Sequence, residues 1–417
     1  MSLRSTRIGA ISAWVFAAGL TGAHHCEAQM CGTMKDLGLL PGGTFAEAMG
    51  VSADGAVVVG RGTNASGIRG WRWTASLGMH EVGYLGGSDG SGFIARANGV
   101  SADGTIVVGT ALNPWNRPHA FRWTQFSPNL DLGSFTHPFT AGTSEAFAVS
   151  ADGTTVVGSS DWLPTMSSVP FRWTAGGGLQ DLELGPGVEG TAYAVSADGS
   201  VVVGTAAGGA FRWTQEGGAI DLGMLPGRSR AWATSVSADG SVVVGWARVP
   251  DQAFRWTQAG GLESLGVLPG YAHSVATGVS ADGSVVVGYA FNGWPIARAF
   301  RWTATSGMQD IGTLGGELRV ANAISADGRT VVGYSTDSNA PGSPYKAFRW
   351  TAEPSPADYD GDFYLQVIDL LDFIDDFGSC QAQPSPCGEY GDPDINHDGV
   401  IDVLDFLDYM DAFGQGC

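Results

Sequence analysis

Three features of the 417-residue sequence predict an all-β seven-bladed β-propeller with four-stranded blades, followed by a small α-helical module. The segment SADG occurs at Ser52, Ser101, Ser150, Ser196, Ser237, Ser280 and Ser325, each time ahead of a β-branched run such as VVVG. The segment RWT follows in step, with Trp73, Trp123, Trp173, Trp213, Trp256, Trp302 and Trp350 separated by 50, 50, 40, 43, 46 and 48 residues. DLG or a variant then starts near Asp36, Glu81, Asp131, Asp181, Asp221, Ser264 and Asp310, so seven copies of a unit of about 46 residues cover 34–351. Composition agrees. The chain has 64 Gly and only 15% charged residues, which suits short strands joined by tight turns and opposes a helical bundle or coiled coil.

The chain opens with Arg4 and Arg7, an apolar stretch from Ile8 to Ala23, and small residues at Ala23 and Ala28. This pattern is that of a secretory signal peptide over residues 1–28. The run is interrupted by Gly and Ser and is short for a membrane span, and no later segment is long and apolar enough, so no integral span is expected in the mature chain. An exported protein sits in an oxidising compartment. One disulfide is expected among Cys31, Cys380, Cys387 and Cys417, with Cys26 before them, and the spacing leaves its pairing open.

Residues 29–352 form the propeller. The first element met is a DLG strand, Met34 to Gly38, and the last is an RWT strand ending at Thr351. If DLG is the outermost strand of a blade, the seventh blade lacks its own, and the N-terminal strand closes it, which removes an exposed edge. Within one copy the strands are Ala233 to Ser237, Ser241 to Gly245, Ala253 to Thr257 and the run around Leu262 to Leu265. Asp-Gly between the first two is a hairpin signal. A β-solenoid would also repeat, but its coils are usually shorter and their number need not close a ring.

In FRWT the Phe and Trp stand two apart and share a sheet face, so these pairs are expected to pack between blades. Arg72, Arg122, Arg172, Arg212, Arg255, Arg301 and Arg349 precede the tryptophans, and six of the seven DLG positions hold an acid. A structural ion pair repeated around the ring is expected, Arg172 with Asp181 and Arg301 with Asp310. Variable loops on a rigid scaffold carry function. The segments between VVVG and RWT vary most and hold Trp115, Trp162 and Trp294, which suit either stacking on sugar rings or anchoring of Gly- and Pro-rich loops. No catalytic constellation stands out: the seven histidines show no HExxH spacing, and neither a GxSxG elbow nor a P-loop is present.

Residues 353–357 read as a Pro-rich linker, and 358–417 as a tandem loop–helix module. From Ala352 to Cys417 there are 16 acids and no Lys or Arg, so this tail carries −16 of the net −20. That charge argues against nucleic-acid binding. In DINHDGVIDVLD, Asp394, Asn396, Asp398, the Val400 carbonyl, Asp402 and Asp405 fall at the oxygen positions of a calcium loop, with Gly399 at the sharp turn. The first loop keeps Asp358, Asp360, Asp362 and Asp369, with Tyr364 at the carbonyl position. Phe363 replaces its turn glycine and Gln366 sits at nine, so weaker binding is expected there. Each loop runs into an amphipathic segment, VIDLLDFIDDFG and VLDFLDYMDAFG.

The repeats resemble the HAF family of extracellular repeats, and His119-Ala120-Phe121 carries those letters. That resemblance implies an exported propeller and no particular activity. The two loop–helix halves with Asp at the twelfth position resemble a dockerin module, which implies calcium and a cohesin-like or cell-surface protein as partner. The pairs Val367-Ile368 and Val403-Leu404 depart from the polar recognition residues of that family. The sequence therefore points to an exported, non-enzymatic scaffold that binds a glycan or a protein. The alternative is a carbohydrate-active enzyme, a glycoside hydrolase or polysaccharide lyase, with the propeller as catalytic domain.

Overall fold

The computed structural model describes residues 29–30, 32–87, 95–135, 142–162, 167–185, 188–293, 296–338, 342–352, 364–365 and 409. It divides into two units, Gly32–Glu353 and the two ends of the chain, 1–31 with 354–417. In the second unit Gln29–Met30 pairs antiparallel with Tyr364–Leu365, and Tyr409 is buried. The first unit holds seven four-stranded antiparallel sheets. Six of them follow the chain from the innermost strand outward, as in blade 5: Arg230–Val236, Val242–Arg248, Gln252–Thr257 and Gly261–Gly266. The innermost strands of successive blades touch one another around the whole ring.

Closure is made by the N-terminal strand. Gly32–Asp36 is the outermost strand of blade 7, antiparallel to Tyr345–Ala352, with Met34 opposite Trp350 and Asp36 opposite Phe348. Lys346 bridges to Asp36 at 3.2 Å. Three consecutive valines, Val57, Val58 and Val59, are all buried, because each face of a blade is covered by a neighbour. Val58 packs with Trp71, Trp73 and Val332 of blade 7, while Val57 and Val59 pack with Ala97, Val107 and Phe121 of blade 2. The aromatic pairs of the FRWT strands thus lie between blades.

The SADG turns lock the ring at one face, here called the turn face. The Ala53 amide donates to the Ala102 carbonyl, Ala102 to Ala151, Ala151 to Ala197, Ala197 to Ala238, Ala238 to Ala281, Ala281 to Ala326, and Ala326 back to Ala53, all at 2.9–3.0 Å. These seven head-to-tail bonds form a closed circle. Inside each turn the buried serine works twice: Ser237 Oγ donates to Asp239 at 2.6 Å and accepts the Val242 amide at 2.9 Å.

The arginines do not pair with the DLG acids. Register places Arg172 opposite Gln180 and Arg301 opposite Gln309, while Phe171 and Phe300 face Asp181 and Asp310. Since side chains alternate along a strand, each arginine points to the sheet face opposite its expected acid. Its Nε instead donates to the glycine carbonyl of the next SADG turn: Arg72 to Gly104, Arg122 to Gly153, Arg172 to Gly199, Arg212 to Gly240, Arg301 to Gly328 and Arg349 to Gly55, at 3.0–3.5 Å. The arginine is an inter-blade tie, and Arg349 carries it across the closure.

The Ser237 hydroxyl, helped by the Ser241 amide, holds the Asp239 carboxyl down from its usual 3.8 to about 2. The equivalent serine acts the same way on Asp54, Asp103, Asp152 and Asp198. A depressed carboxylate stabilises the fold above its unfolded value and loses that contribution as pH falls toward the folded one. Melting temperature is therefore expected to fall between about pH 4 and pH 2, and less steeply in Ser237→Ala. Scanning calorimetry across that window checks it, and parallel slopes for the two proteins would refute it.

Candidate functional site

The hairpins between second and third strands, and the connections from one blade to the next, emerge opposite the SADG turns. At this loop face the repeat stops repeating. The innermost strand of every blade carries a one-residue bulge at the same place, at Met49, Asn98, Phe147, Tyr193, Thr234, Thr277 and Asn322. A bulge re-aims its side chain. Asn98, Thr234, Thr277 and Asn322 use this to donate to the innermost strand of the next blade, at Ala146, Ala276, Ala321 and Ala48, over 2.7–2.8 Å.

Two residues toward the loop face from each bulge, identity varies widely. Glu47, Arg96, Glu145, Thr191, Trp232, Val275 and Val320 stand there, opposite Arg61, Thr110, Ser159, Thr205, Trp246, Tyr289 and Tyr334 on the second strands. Blades 1 to 3 are charged: Glu47 pairs with Arg61 at 2.7 Å, and Glu145 with Arg96 at 2.5 Å. Blades 5 to 7 are aromatic. Trp232 and Trp246 stack with ring centroids 4.3 Å apart and 9° between planes. His273 stacks on Phe291 at 4.9 Å, and Tyr334 meets Tyr345 at 5.2 Å. Burial raises the Tyr289 and Tyr334 hydroxyls above their usual value.

A cavity of about 400 Å³ opens around the loop-face end of blade 4, with Ser168 of blade 3 and Arg230 and Trp232 of blade 5 on its walls. Ser168, Glu189, Thr191, Thr205, Arg230 and Trp232 supply its hydroxyl, carboxylate, guanidinium and indole groups. Its floor is the hairpin Ala207–Gly208, where both residues take positive φ, 48° and 86°. Two such residues form the tight two-residue turn that keeps this loop short and leaves the space above it open.

Of the loop tryptophans named from sequence, Trp115 is 51% exposed. The buried Asn113 side chain shapes its loop by accepting the Trp115 and Arg117 amides at 3.0 Å each. Trp162 ends the strand Thr155–Trp162 opposite Ser167, and Trp294 lies outside the described residues. Reasoning from loops missed Trp232 and Trp246, which sit on strands. Aligning the seven copies residue by residue exposes them, since no other copy has Trp at either position. The two loops expected to hold calcium and the cysteines lie outside the described residues, apart from the backbone of Tyr364 and Leu365, which pairs with Met30 and Gln29. The signal peptide lies outside them too. Among the described residues no helix is long and apolar enough to cross a membrane.

The DLG acids have a different office from the one expected. Asp36, Asp131, Asp181, Asp221 and Asp310 each accept the amide two residues on, at 2.8–2.9 Å, which turns the chain toward the next blade. Several also meet a side chain on the third strand: Arg69 with Glu81 at 3.6 Å, His119 with Asp131 at 2.8 Å, Arg298 with Asp310 at 3.7 Å. In blade 5 the exchange is neutral, Gln252 Nε2 donating to Ser264 Oγ at 2.6 Å.

No protein-family model matches the chain, and no curated protein does. Solved structures match it by backbone. An oligogalacturonate lyase in complex with manganese is 11% identical, over 78% of this chain and 96% of that chain, with a TM-score of 0.51. TolB from Acinetobacter baumannii is 12% identical over 62% of this chain, with a TM-score of 0.43, and the match spans 63% of the TolB chain. The Cps50 (Swd1) β-propeller domain from Myceliophteria thermophila is 10% identical over 77% of this chain and 100% of that chain, with a TM-score of 0.46. At 11% identity the likeness to the lyase is one of fold alone, and the seven four-stranded sheets make the chain a seven-bladed β-propeller.

Proposed function

We propose that this protein is an exported, non-enzymatic binding protein whose propeller holds a glycan on its loop face and whose calcium-folded tail attaches it to a second protein. The observation that carries the first half is the stacked Trp232–Trp246 pair, with Trp232 at the wall of a 400 Å³ cavity rich in hydroxyl groups. Sugar rings present apolar C–H faces and a rim of hydroxyls. An indole face receives the first, and Ser168, Glu189, Thr191 and Thr205 receive the second. Titration calorimetry of the full chain against a panel of oligosaccharides tests it. Trp232→Ala is expected to abolish binding, and release of shortened or unsaturated sugars during the titration would replace this reading with the carbohydrate-active enzyme.

The attachment half rests on the tail's donor set. Sixteen acids without a cation repel one another unless a counter-ion is bound, and hard calcium takes six to eight oxygens of the kind that Asp394, Asn396, Asp398, Val400, Asp402 and Asp405 supply. Binding would then be coupled to folding of the tail. Chelator is expected to lower the melting transition of the tail and leave that of the propeller in place. Asp394→Ala should remove most of the calcium response and Asp358→Ala less, because Gly399 permits a turn that Phe363 resists. No heat of binding at millimolar calcium would refute the site. The partner is a cohesin-like or cell-surface protein, and pull-down with and without calcium tests that.

A further inference from the structure

We infer that the ligand of the blade 5 site is an anionic glycan, a sugar ring bearing carboxylate or sulfate, held by Arg230 and Arg248 over the Trp232–Trp246 stack. This rests on the glycan-binding reading above and narrows it. In blade 5 the innermost and second strands pair Arg230 with Arg248 and Trp232 with Trp246. Positions 230 and 232, and 246 and 248, are two apart, so all four side chains leave the same face of the sheet. Like charges directly opposite each other in a sheet are destabilising.

Nothing in the described structure neutralises this pair. Both arginines are exposed, and none of the ion pairs among the described residues involves either. Elsewhere on the loop face most basic side chains are matched, Arg61 with Glu47, Arg96 with Glu145, Lys346 with Asp36 and Asp337, Arg298 and Arg319 with Asp310, while the exposed Arg117 of the blade 2 hairpin is in none of these ion pairs. Blade 5 is also the copy whose DLG acid is replaced, by Ser264, and Ser264 is taken by Gln252. Gln252 Oε1 in turn accepts from Arg228 Nη2 at 2.5 Å, which adds a third guanidinium to the same end of the blade. Three acids are near: Glu189 lines the cavity with Arg230, Asp221 stands beside Gly209 of the same hairpin with its carboxylate accepting the Gly223 amide at 2.9 Å, and the Asp251 amide donates to His273 Nδ1 of blade 6 at 3.2 Å; none of the three ion-pairs with either arginine.

The aliphatic stem of Arg230 lies beside Gly208, where a side chain would meet its Cγ at 3.6 Å, so the short hairpin leaves room for the guanidinium over the cavity. A planar guanidinium fits carboxylate and sulfate oxygens in bidentate fashion, and the indole beside it offers a face to the ring that carries them. An anionic sugar satisfies both features at once, whereas a neutral one leaves the arginine pair unanswered.

Calorimetry on the full chain with three probes of matched length decides the matter: a uronic-acid oligosaccharide, a sulfated oligosaccharide and a neutral one. At least one anionic probe is expected to bind about tenfold or more tightly than the neutral one, with affinity falling as salt rises. The tighter of the two assigns carboxylate or sulfate. Arg230→Gln and Arg248→Gln should each weaken the anionic probe about tenfold and the neutral probe less, narrowing the preference for charge, without lowering the melting temperature. Trp232→Ala should weaken all three. Equal affinity for charged and neutral probes, or glutamine variants that bind like wild type, would overturn the anionic assignment and leave the glycan reading standing. Failure of all three probes would remove both.

Discussion

Gly245→Ala is expected to lower stability by about 3 kcal/mol, a drop of about 6 °C in melting temperature for a domain of this size. A methyl group on Gly245 would stand 1.9 Å from the Trp232 carbonyl oxygen and 2.8 Å from the Phe254 ring. The carbonyl belongs to the backbone beside the bulge, so making room for the methyl means undoing the bulge. The same clash recurs in every blade: Gly60, Gly109, Gly158, Gly204, Gly288 and Gly333 each have an innermost-strand carbonyl oxygen 1.9–2.0 Å from where a Cβ would sit. These glycines end the VVVG runs because the neighbouring backbone occupies that space. Gly176→Ala is the matched control, since a methyl there meets nothing within 4 Å. Thermal melts of the two variants side by side would refute the argument if they coincide.

Trp350→Ala should be as damaging and should fail in a different way. Trp350 is 1% exposed and sits opposite Met34 of the closing strand, with its ring against Gly32. Removing a buried Trp costs about 4 kcal/mol through lost transfer energy and the cavity left behind. Here the lost contacts also hold the strand Gly32–Asp36, which is continuous in sequence with no other strand of blade 7. That strand is expected to open first and to uncover the edge Tyr345–Ala352 for pairing with other molecules. Limited proteolysis should cut ahead of Asp36, and sizing chromatography should show association. Phe254→Ala, a fully buried aromatic of blade 5 away from the closure, should lose stability without either sign. Identical proteolysis and sizing for the two variants would refute a special role for the N-terminal strand.

The propeller was legible because its instructions are local and written seven times. SADG specifies a hairpin through a serine, an aspartate and a glycine within four residues, and VVVG marks a strand buried on both faces. Even the closure followed from phase, since a repeat array whose first element is an outer strand and whose last is a third strand has one way to complete its last sheet. The arginines show the limit. Their recurrence was plain, but their partner depended on register: Phe171, not Arg172, stands opposite Asp181, and a shift of one residue exchanges the two faces.

The candidate site was legible only as a difference between copies. Trp115, Trp162 and Trp294 stand in the variable segments between VVVG and RWT, whereas Trp232 and Trp246 are ordinary strand residues in sequence. They are 14 residues apart, and only pairing of the first two strands of blade 5 stacks them and sets Arg230 against Arg248 beside them. The sequence by itself determined the blade, the number of blades and the strand that closes them, since each rests on turn chemistry and periodicity within a few tens of residues. Tertiary structure alone decided what each blade face meets: the circle of alanine bonds, the arginine ties to the next turn, the carbonyl that forbids a side chain at Gly245, and the charged and aromatic halves of the loop face. Those depend on register and on contact between blades some 40 to 50 residues apart, and no short stretch of sequence encodes a distance across a ring.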